Sequence, residues 1–314
     1  MPGLYQHSDY TNPVEFSKIV ITGGNGFVGS HLADTLSKSS YEVISIDITP
    51  SSSPIDKVKY VISDLNELSD RILEEILKDS LLIHLAAISS TKNCENNPLQ
   101  SLNVNIGLTL KLIKTANKTN TKVIFASSEW IYPDSEEPIP LLETNRLELT
   151  EITNLYSMSK LVGEWILQRY ANDYQILRFG IVYGERNPPQ SAIEQIVFDA
   201  VNQSSIEVGN FSTARRFIHV QDLCSGILKC LQGTSQKKIL NLSGYELLSL
   251  GKVIEEAEKL LGYKLTTADK NQTPSIRNPV PDEFITHFNW KPQIDSKEGI
   301  LRLIDFYSST IERS

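Results

Sequence analysis

The sequence predicts an α/β fold: a doubly wound parallel sheet followed by a smaller mixed C-terminal part. Through the first half of the 314-residue chain, apolar runs of strand length alternate with helical patterns. That alternation is typical of parallel strands joined by helices. Residues 81–87 are apolar apart from His84, as expected of a strand covered by helices on both faces of its sheet. We therefore expect His84 to be a buried structural residue.

The elements follow in order along the chain. In the first half, strands are predicted over 19–22, 41–47, 57–62, 81–87, 122–127 and 175–179, and helices over 30–38, 102–116 and 156–171. A further helix carries Leu68, Ile72, Ile76 and Leu77 on one apolar stripe. After Gly184 the pattern becomes mixed, with helices predicted over 192–202, 222–231, 250–261 and 296–307, and extended segments over 207–209 and 238–242.

Composition and charge exclude several classes of protein. The net charge of −8 argues against nucleic-acid binding, which usually needs a basic surface. No apolar run approaches the roughly 20 residues of a membrane helix. The three cysteines predict neither a disulfide framework nor a zinc site, and the five histidines lack ligand spacing, so we expect no metal and a reducing cytoplasm. Residues 1–17 are polar and are interpreted as an N-terminal extension rather than a signal peptide.

A glycine-rich turn follows the first strand and leads directly into a helical pattern. Gly24-x-Gly26-x-x-Gly29, with Gly23 before it, satisfies the spacing of a dinucleotide-binding turn. The glycines permit a tight turn, close approach of the backbone to a pyrophosphate and close helix–strand contact. The N-terminus of the next helix offers free N–H groups to phosphates. The residues predicted to contact the cofactor here are Gly23, Gly26, Phe27, Val28 and Gly29.

Acidic and small residues end the next three strands. Asp47 lies about 20 residues past the turn, where a carboxylate binds the adenosine ribose and repels a 2′-phosphate, which favours NAD over NADP. An ordinary loop-starting aspartate is the alternative interpretation of Asp47. Asp64, followed by Leu65, is a candidate for contact with the adenine. Leu85, Ala86 and Ala87 end the fourth predicted strand, and the two alanines are small enough for a cofactor to lie against the sheet edge.

Tyr156 and Lys160 stand four residues apart, on one face of a predicted helix. Lowering a tyrosine pKa from about 10 to neutrality takes on the order of 4 kcal/mol. A neighbouring ammonium together with a cationic nicotinamide ring can supply that stabilisation. Such pairs also occur by chance on solvated helices, so the pair alone is a weak signal. Ser128 strengthens it, because this serine ends the fifth strand, at the edge of the sheet where ligands bind.

The glycine turn, Asp47, Ser128, Tyr156 and Lys160, taken in that order, resemble the extended short-chain dehydrogenase/reductase family, and its sugar-nucleotide epimerase/dehydratase branch is the most similar. The resemblance spans about residues 18–307. It implies a Rossmann domain that binds NAD and a nucleotide-diphosphate-sugar substrate. It also implies that Tyr156 is the acid/base at the sugar C4 hydroxyl and that Ser128 hydrogen-bonds to the same hydroxyl. Lys160 would anchor the nicotinamide ribose and lower the pKa of the tyrosine.

Further roles follow from the same resemblance. Asn105 matches a structural asparagine and is counted with the cofactor site, Arg215 would grip the substrate diphosphate, and Arg277 is a second phosphate candidate. The implied organisation is an NAD-binding domain over 18–178, with 217–236 packing back onto it, and a substrate-binding domain made of 179–216 and 237–314. A homodimer is expected through the helices at 102–116 and 156–171.

Departures from the family pattern leave several reactions open. Ile181 stands where many relatives carry a substrate-contacting asparagine, and Trp130 stands where dehydratases and decarboxylases carry a glutamate. Glu129 matches an acid that some dehydratases use, and a structural carboxylate is the alternative. We expect a 4-epimerase that oxidises C4 transiently and returns the hydride. A 4,6-dehydratase, a 4-keto-sugar reductase and an NAD-sensing binding protein are the alternatives, and Asp47 disfavours an NADPH-dependent reductase.

Overall fold

The computed structural model describes residues 16–233 and 238–311. Most of the expected N-terminal extension, 1–17, lies outside the described residues. So do the last three residues of the 217–236 segment, as well as residue 237 and residues 312–314 of the expected substrate-binding domain.

The strands and helices of the described chain match the predicted order. The strands are β1 (Lys18–Thr22), β2 (Glu42–Asp47), β3 (Val58–Ile62), β4 (Ser80–His84), β5 (Lys122–Ser128), β6 (Pro140–Leu141), β7 (Tyr174–Phe179), β8 (Ile181–Tyr183), β9 (Ile206–Val208), β10 (Ala214–Arg215), β11 (Phe217–His219), β12 (Ile239–Leu242), β13 (Leu248–Ser249), β14 (Thr267–Asp269) and β15 (Asn278–Pro279). The helices are α1 (Phe27–Ser37), α2 (Asp70–Leu77), α3 (Thr91–Asn96), α4 (Pro98–Leu102), α5 (Leu108–Lys118), α6 (Leu155–Tyr170), α7 (Ala192–Val201), α8 (Val220–Gln232), α9 (Leu250–Leu261), α10 (Asp282–Phe288) and α11 (Ser296–Ile311).

Seven parallel strands form the central sheet of the described chain, in the order β12-β7-β5-β4-β1-β2-β3. The order runs in opposite directions on the two sides of the β1–β4 pair, so a crevice opens at the carboxyl ends of these two strands. This arrangement confirms the predicted doubly wound α/β fold. It also places the glycine turn, which follows β1, at the switch point where such sheets bind ligands.

Helices cover both faces of this sheet. In β1, Ile19 and Ile21 pack into one core with Leu32 of α1 and Leu223 of α8, whereas Val20 packs into the opposite core with residues of α5. Alternate residues of a strand point to opposite faces. The apolar strands are therefore buried on both sides, as their composition predicts.

The apolar stripe predicted for α2 is wrong in its detail. The helix buries Leu73 and Leu77, one turn apart, whereas the side chain of Ile72 is 44% exposed. Leu73 and Leu77 lie on one face because residues four apart are neighbours on a helix, and Ile72 is rotated about 100° away from them. Leu77 is thus buried as predicted, and Leu68 and Ile76 pack partly buried against the same core, so the predicted stripe is wrong only at Ile72.

The C-terminal part builds a second core from α7, α9 and α11, which contains Ile196, Val253 and Leu303. The expected division assigned 237–314 to the substrate-binding domain, but β12 is the edge strand of the central sheet and pairs with β7. It lies there because Leu240 and Leu242 are buried in the core of that sheet. No helix among the described residues has both the length and the apolarity that crossing a bilayer requires.

Candidate active site

A cleft of about 890 Å³ runs along the carboxyl ends of the central strands and reaches the C-terminal part. Most of the residues predicted from sequence line it. They are Gly23, Gly26, Phe27, Val28, Gly29, Asp47, Asp64, Leu65, Leu85, Ala86, Ala87, Ser128, Tyr156, Lys160 and Arg215. Three further predicted residues, Asn105, Glu129 and Arg277, do not line the cleft. Residues that are up to about 190 positions apart in sequence thus meet around one cavity.

The glycine turn forms a cradle that no larger residue fits. Gly23 has a φ of +69°, which side chains disfavour. A Cβ on Gly29 would lie 2.3 Å from the Gly23 carbonyl oxygen and 2.6 Å from the Cα of Gly24. Gly26 precedes α1 and no side chain caps the N–H groups of the helix. The backbone therefore approaches closely and presents free N–H donors, which fits the pyrophosphate of a dinucleotide.

Asp47 lies beside this turn, at the end of β2. One carboxylate oxygen accepts the backbone N–H of Asn25 at 3.1 Å and the other accepts that of Thr49 at 3.1 Å. The carboxylate is therefore fixed next to the cradle, where a 2′-phosphate would meet a negative charge. Asp64 lines the cleft further along and accepts the backbone N–H of Asn66 at 2.8 Å.

The predicted Tyr156–Lys160 pair lies at the start of α6, where Asn154 caps the helix by accepting the backbone N–H of Ser157 at 2.9 Å. Lys160 is buried and donates to the carbonyl of Ala126 on β5 at 2.8 Å. The Lys160 ammonium lies 5.8 Å from the centroid of the Tyr156 ring. The helix therefore delivers a phenol and an ammonium together to the edge of the sheet.

Burial dominates the acid–base properties of this group. It raises the pKa of Tyr156 to about 12, although a hydrogen bond with Ser128 acts in the opposite direction. It also lowers the pKa of Lys160 to about 8. The family resemblance implied a lowered tyrosine pKa, whereas the protein's own residues raise it, because desolvation disfavours the phenolate. Additional positive charge near the ring is required before Tyr156 can act as a base at neutral pH.

Two buried networks hold α6 in place behind the cleft. Arg178 on β7 makes two bonds to the Glu164 carboxylate, at 2.9 and 2.8 Å, and Ser127 donates to the same carboxylate at 2.6 Å. Asn105 donates to the carbonyl of Ile88 and the hydroxyl of Ser159, and it accepts the backbone N–H of Ile88. The Asn105 amide is used by these protein partners, so it joins the loop after β4 to α6 and does not face the cofactor cleft.

The far end of the cleft is built by residues from distant segments. Trp130 and Arg215 line it, and the guanidinium of Arg277 lies 4.4 Å from the centroid of the Trp130 ring. Arg277 donates to Asp134 at 2.9 Å and to the carbonyl of Tyr132 at 3.0 Å. Because these partners hold it beside Trp130, Arg277 supports the cleft wall and does not form part of its lining.

A group of lining residues at this end was not predicted from the sequence. They are Arg186, Gln190, Ser191, Thr213 and Phe217. Arg186 lies 4.1 Å from the centroid of the Phe27 ring and donates to Glu194 at 2.9 Å. The signal available in the sequence was the pairing of Arg186 with an acidic residue in the first turn of α7. Nothing local indicates that the loop before α7 lies against Phe27.

The model of the NAD dependent epimerase/dehydratase family matches residues 19–243 of the chain. The chain belongs to this family. It is therefore an enzyme of the NAD-dependent epimerase/dehydratase type with NAD as its cofactor, which confirms the family and cofactor predicted from the sequence.

Relatives match over nearly the whole chain. A putative UDP-glucose 4-epimerase from Methanocaldococcus jannaschii is 29% identical over 92% of this chain and 97% of its own length. A UDP-N-acetylglucosamine 4-epimerase from Methanobrevibacter ruminantium superposes with a TM-score of 0.80 and 25% identity, over 94% of this chain and 99% of that one. A UDP-glucuronic acid 4-epimerase from Bacillus cereus, in complex with UDP-glucuronic acid and NAD, has a TM-score of 0.78 and 22% identity, over 93% and 99% of the two chains.

Proposed function

We propose that the protein is a 4-epimerase of a UDP-sugar that oxidises C4 transiently and returns the hydride to the opposite face. One observation carries this proposal: Tyr156, Ser128 and Lys160 line the same cleft as the glycine cradle and Arg215, and Tyr156 hydrogen-bonds to Ser128. A sugar placed there has the cofactor site on one side and a guanidinium for its diphosphate on the other. UDP is favoured as the nucleotide because the relatives described above act on UDP-sugars.

In this mechanism the side chains position the sugar and move one proton. NAD held by the glycine cradle and Asp47 would supply the hydride acceptor at C4 and the hydride that is returned. The Tyr156 oxygen takes the proton of the C4 hydroxyl and returns it after the hydride transfer, while Ser128 hydrogen-bonds to the same oxygen. Burial holds the tyrosine pKa at about 12. The positive charge of Lys160, together with that of the oxidised nicotinamide, therefore has to stabilise the phenolate during the reaction.

The alternative reactions have weaker support. Glu129, the acid that a dehydratase would use, is fully buried, does not line the cleft and lies 3.3 Å from Arg215. An NADPH-dependent reductase is disfavoured by the fixed carboxylate of Asp47. A protein that only senses NAD has no need of the grouped tyrosine, serine and lysine. Dehydration is the second candidate, since Glu129 follows Ser128 directly.

A homodimer through α5 and α6 completes the proposal, in line with the predicted pairing of 102–116 and 156–171. On α6, Trp165 is 56% exposed, and its ring lies 5.8 Å from that of Tyr170, which is 49% exposed. Large exposed aromatic side chains favour a subunit interface. Trp165→Glu should therefore convert the dimer to a monomer in analytical ultracentrifugation.

We also propose a cytoplasmic location, since Cys94, Cys224 and Cys230 are buried free thiols.

The proposed reaction is tested by incubating the purified protein with UDP-, GDP-, CDP- and dTDP-sugars and analysing the products by mass spectrometry and NMR. We expect a UDP-sugar to give a C4 isomer of unchanged mass. A product lighter by one water would indicate the dehydratase instead. If no sugar reacts while NAD stays bound, the NAD-sensing alternative replaces the enzyme.

A further inference from the structure

Glu129 is a carboxylate buried where a charge is costly. It lies in a single turn of 3₁₀-helix directly after Ser128, and it has no exposed surface. Neither of its oxygens accepts a well-formed hydrogen bond from the residues that the structure describes. A buried charge without hydrogen bonds is strongly destabilising unless an opposite charge is close. The charges around Glu129 therefore decide whether its carboxyl group is ionised or protonated.

Arg215 is the nearest of these charges. Its Nε lies 3.3 Å from a Glu129 oxygen, and one of its terminal nitrogens lies 3.6 Å from Asp134. The other guanidinium donors bind the carbonyl of Ala214 and both the carbonyl and the hydroxyl of Ser275. The guanidinium is thus held at the cleft wall by acceptors within the protein. Glu129 is its fully buried charged partner.

Arg277 and Asp134 are the other charged groups that face Glu129. Asp134 also pairs with Arg277, at 2.9 Å. The four side chains therefore balance two positive with two negative charges when Glu129 is ionised. A diphosphate that binds Arg215 brings additional negative charge into this balanced group. In a poorly solvated site that charge repels the Glu129 carboxylate strongly.

We propose that Glu129 is the counter-ion of Arg215 in the resting cleft and takes up one proton when Arg215 binds the diphosphate of the substrate. This inference rests on the proposed function, which assigns the diphosphate to Arg215. The proton comes from solvent and converts the carboxylate to a carboxylic acid, and no other bond changes. Glu129 is therefore a positioning residue, which acts through Arg215 and does not touch the sugar.

The titration of Glu129 fits this role. Burial raises its pKa to about 7, while Arg215, Arg277 and, more weakly, the backbone N–H of Ile181 oppose the rise and Asp134 adds to it. Near neutral pH the carboxylate is thus poised between its two states. An anion bound at Arg215 raises the pKa of Glu129 further, so anion binding and proton uptake favour each other. Binding becomes weaker as the pH rises above the pKa of Glu129 in the resting cleft.

The test is isothermal titration calorimetry of the NAD-loaded protein with UDP-glucose and dTDP-glucose, in buffers of different ionisation enthalpy. At pH 8 we expect the wild type to take up close to one proton per site. The Kd of the wild type for the sugar nucleotide should rise by up to about tenfold per pH unit above about pH 7. Glu129→Gln removes the titrating group but keeps its size, so its proton uptake should be smaller than that of the wild type by close to one proton per site, and its Kd should depend less on pH.

Two further variants make the result specific. Glu129→Asp keeps a carboxylate and should retain the uptake, and Glu137→Gln, which changes an exposed glutamate on the next loop, should behave as the wild type. Lys160, whose pKa is about 8, titrates in all four proteins, so the difference between the wild type and Glu129→Gln isolates Glu129.

Several outcomes would overturn the inference. The first two are the absence of uptake in the wild type and equal uptake in Glu129→Gln. The third is turnover slowed by about 100-fold or more in Glu129→Gln with an unchanged Kd, which would make Glu129 an acid acting on the sugar. Failure of both nucleotides to bind at pH 6 would overturn it together with the substrate class. Binding with Glu129-dependent uptake but no turnover would support it and contradict only the proposed epimerisation.

Discussion

The two ends of the cleft are built in different ways. The end proposed to bind NAD, called the nucleotide end, is lined by the glycine turn of residues 23–29 and by residues that follow the neighbouring strands, among them Asp47 and Ala86. The end proposed to bind the sugar, called the sugar end, is built from large charged and aromatic side chains of distant segments: Trp130 and Arg215 line it, and Arg277 packs against Trp130. The first end therefore depends on close backbone approach. The second end depends on long side chains that share a limited set of partners.

Tyr156→Phe, at the junction of the two ends, is expected to have the largest effect. It removes the hydroxyl that moves the proton, so turnover should fall by roughly 10³-fold. Neither end loses a contact, and NAD content and UDP-sugar affinity should stay near wild-type values. Product formation and cofactor content of the purified protein are the measurements. Full activity in this variant would reject the assignment of Tyr156.

Gly29→Ala should damage the nucleotide end alone. The new Cβ would meet the Gly23 carbonyl oxygen at 2.3 Å, so the cradle has to shift. Overpacking a closely packed site costs about 1–3 kcal/mol, so we expect NAD affinity to fall by up to about 100-fold. Gly107→Ala is the matched control, because its Cβ would meet nothing closer than the Leu102 carbonyl at 3.9 Å. Equal NAD affinity in the two variants would contradict the cradle.

Trp130→Ala should damage the sugar end alone. It removes a ring of the cleft wall and the aromatic face beside Arg277, an interaction worth about 0.5–2 kcal/mol. The KM for the sugar nucleotide should rise about tenfold, while the NAD content is unchanged. Trp130→Phe keeps an aromatic face and should recover most of the affinity. If NAD is lost instead, the two ends are not independent.

The smallest expected effect is a pH dependence of the free energy of unfolding, which His84 in the central sheet produces. Burial lowers the pKa of His84 to about 3, with Lys160 adding to the shift, and the ring bonds to Thr22 at 2.7 Å and Thr109 at 3.0 Å. Below pH 6.5 the unfolded chain binds a proton at His84 and the folded protein does not. The free energy of unfolding should therefore fall by about 1.4 kcal/mol per pH unit between pH 6.5 and 3.

Urea unfolding at pH 7.0 and 5.5 measures this effect. His84→Gln should lose stability at both values, but it should show a smaller difference between them than the wild type does. The same difference in both proteins would mean that other groups produce the pH dependence.

The contrast between the two ends also explains what the sequence could predict. The α/β fold and the glycine turn were predictable because their signals are local: a strand, a glycine spacing and a helix in one segment. The surroundings of Glu129 and Arg277 were not, because Arg277 binds Asp134 and Tyr132 across 143 and 145 residues of chain. The same limit applies to α2. Its sequence carries the apolar residues Ile72 and Leu73 side by side, and only packing on the sheet shows that Leu73 faces inward and Ile72 outward.

Asp47 limits how this enzyme could be re-engineered for a different cofactor. Its carboxylate both lines the cleft and accepts the backbone N–H groups of Asn25 and Thr49. Substituting a residue that tolerates an additional phosphate would leave these two N–H groups without an acceptor and loosen the loops on either side. A switch of coenzyme therefore calls for paired changes that rebuild both loops, and the single substitution should yield a poor enzyme for either coenzyme.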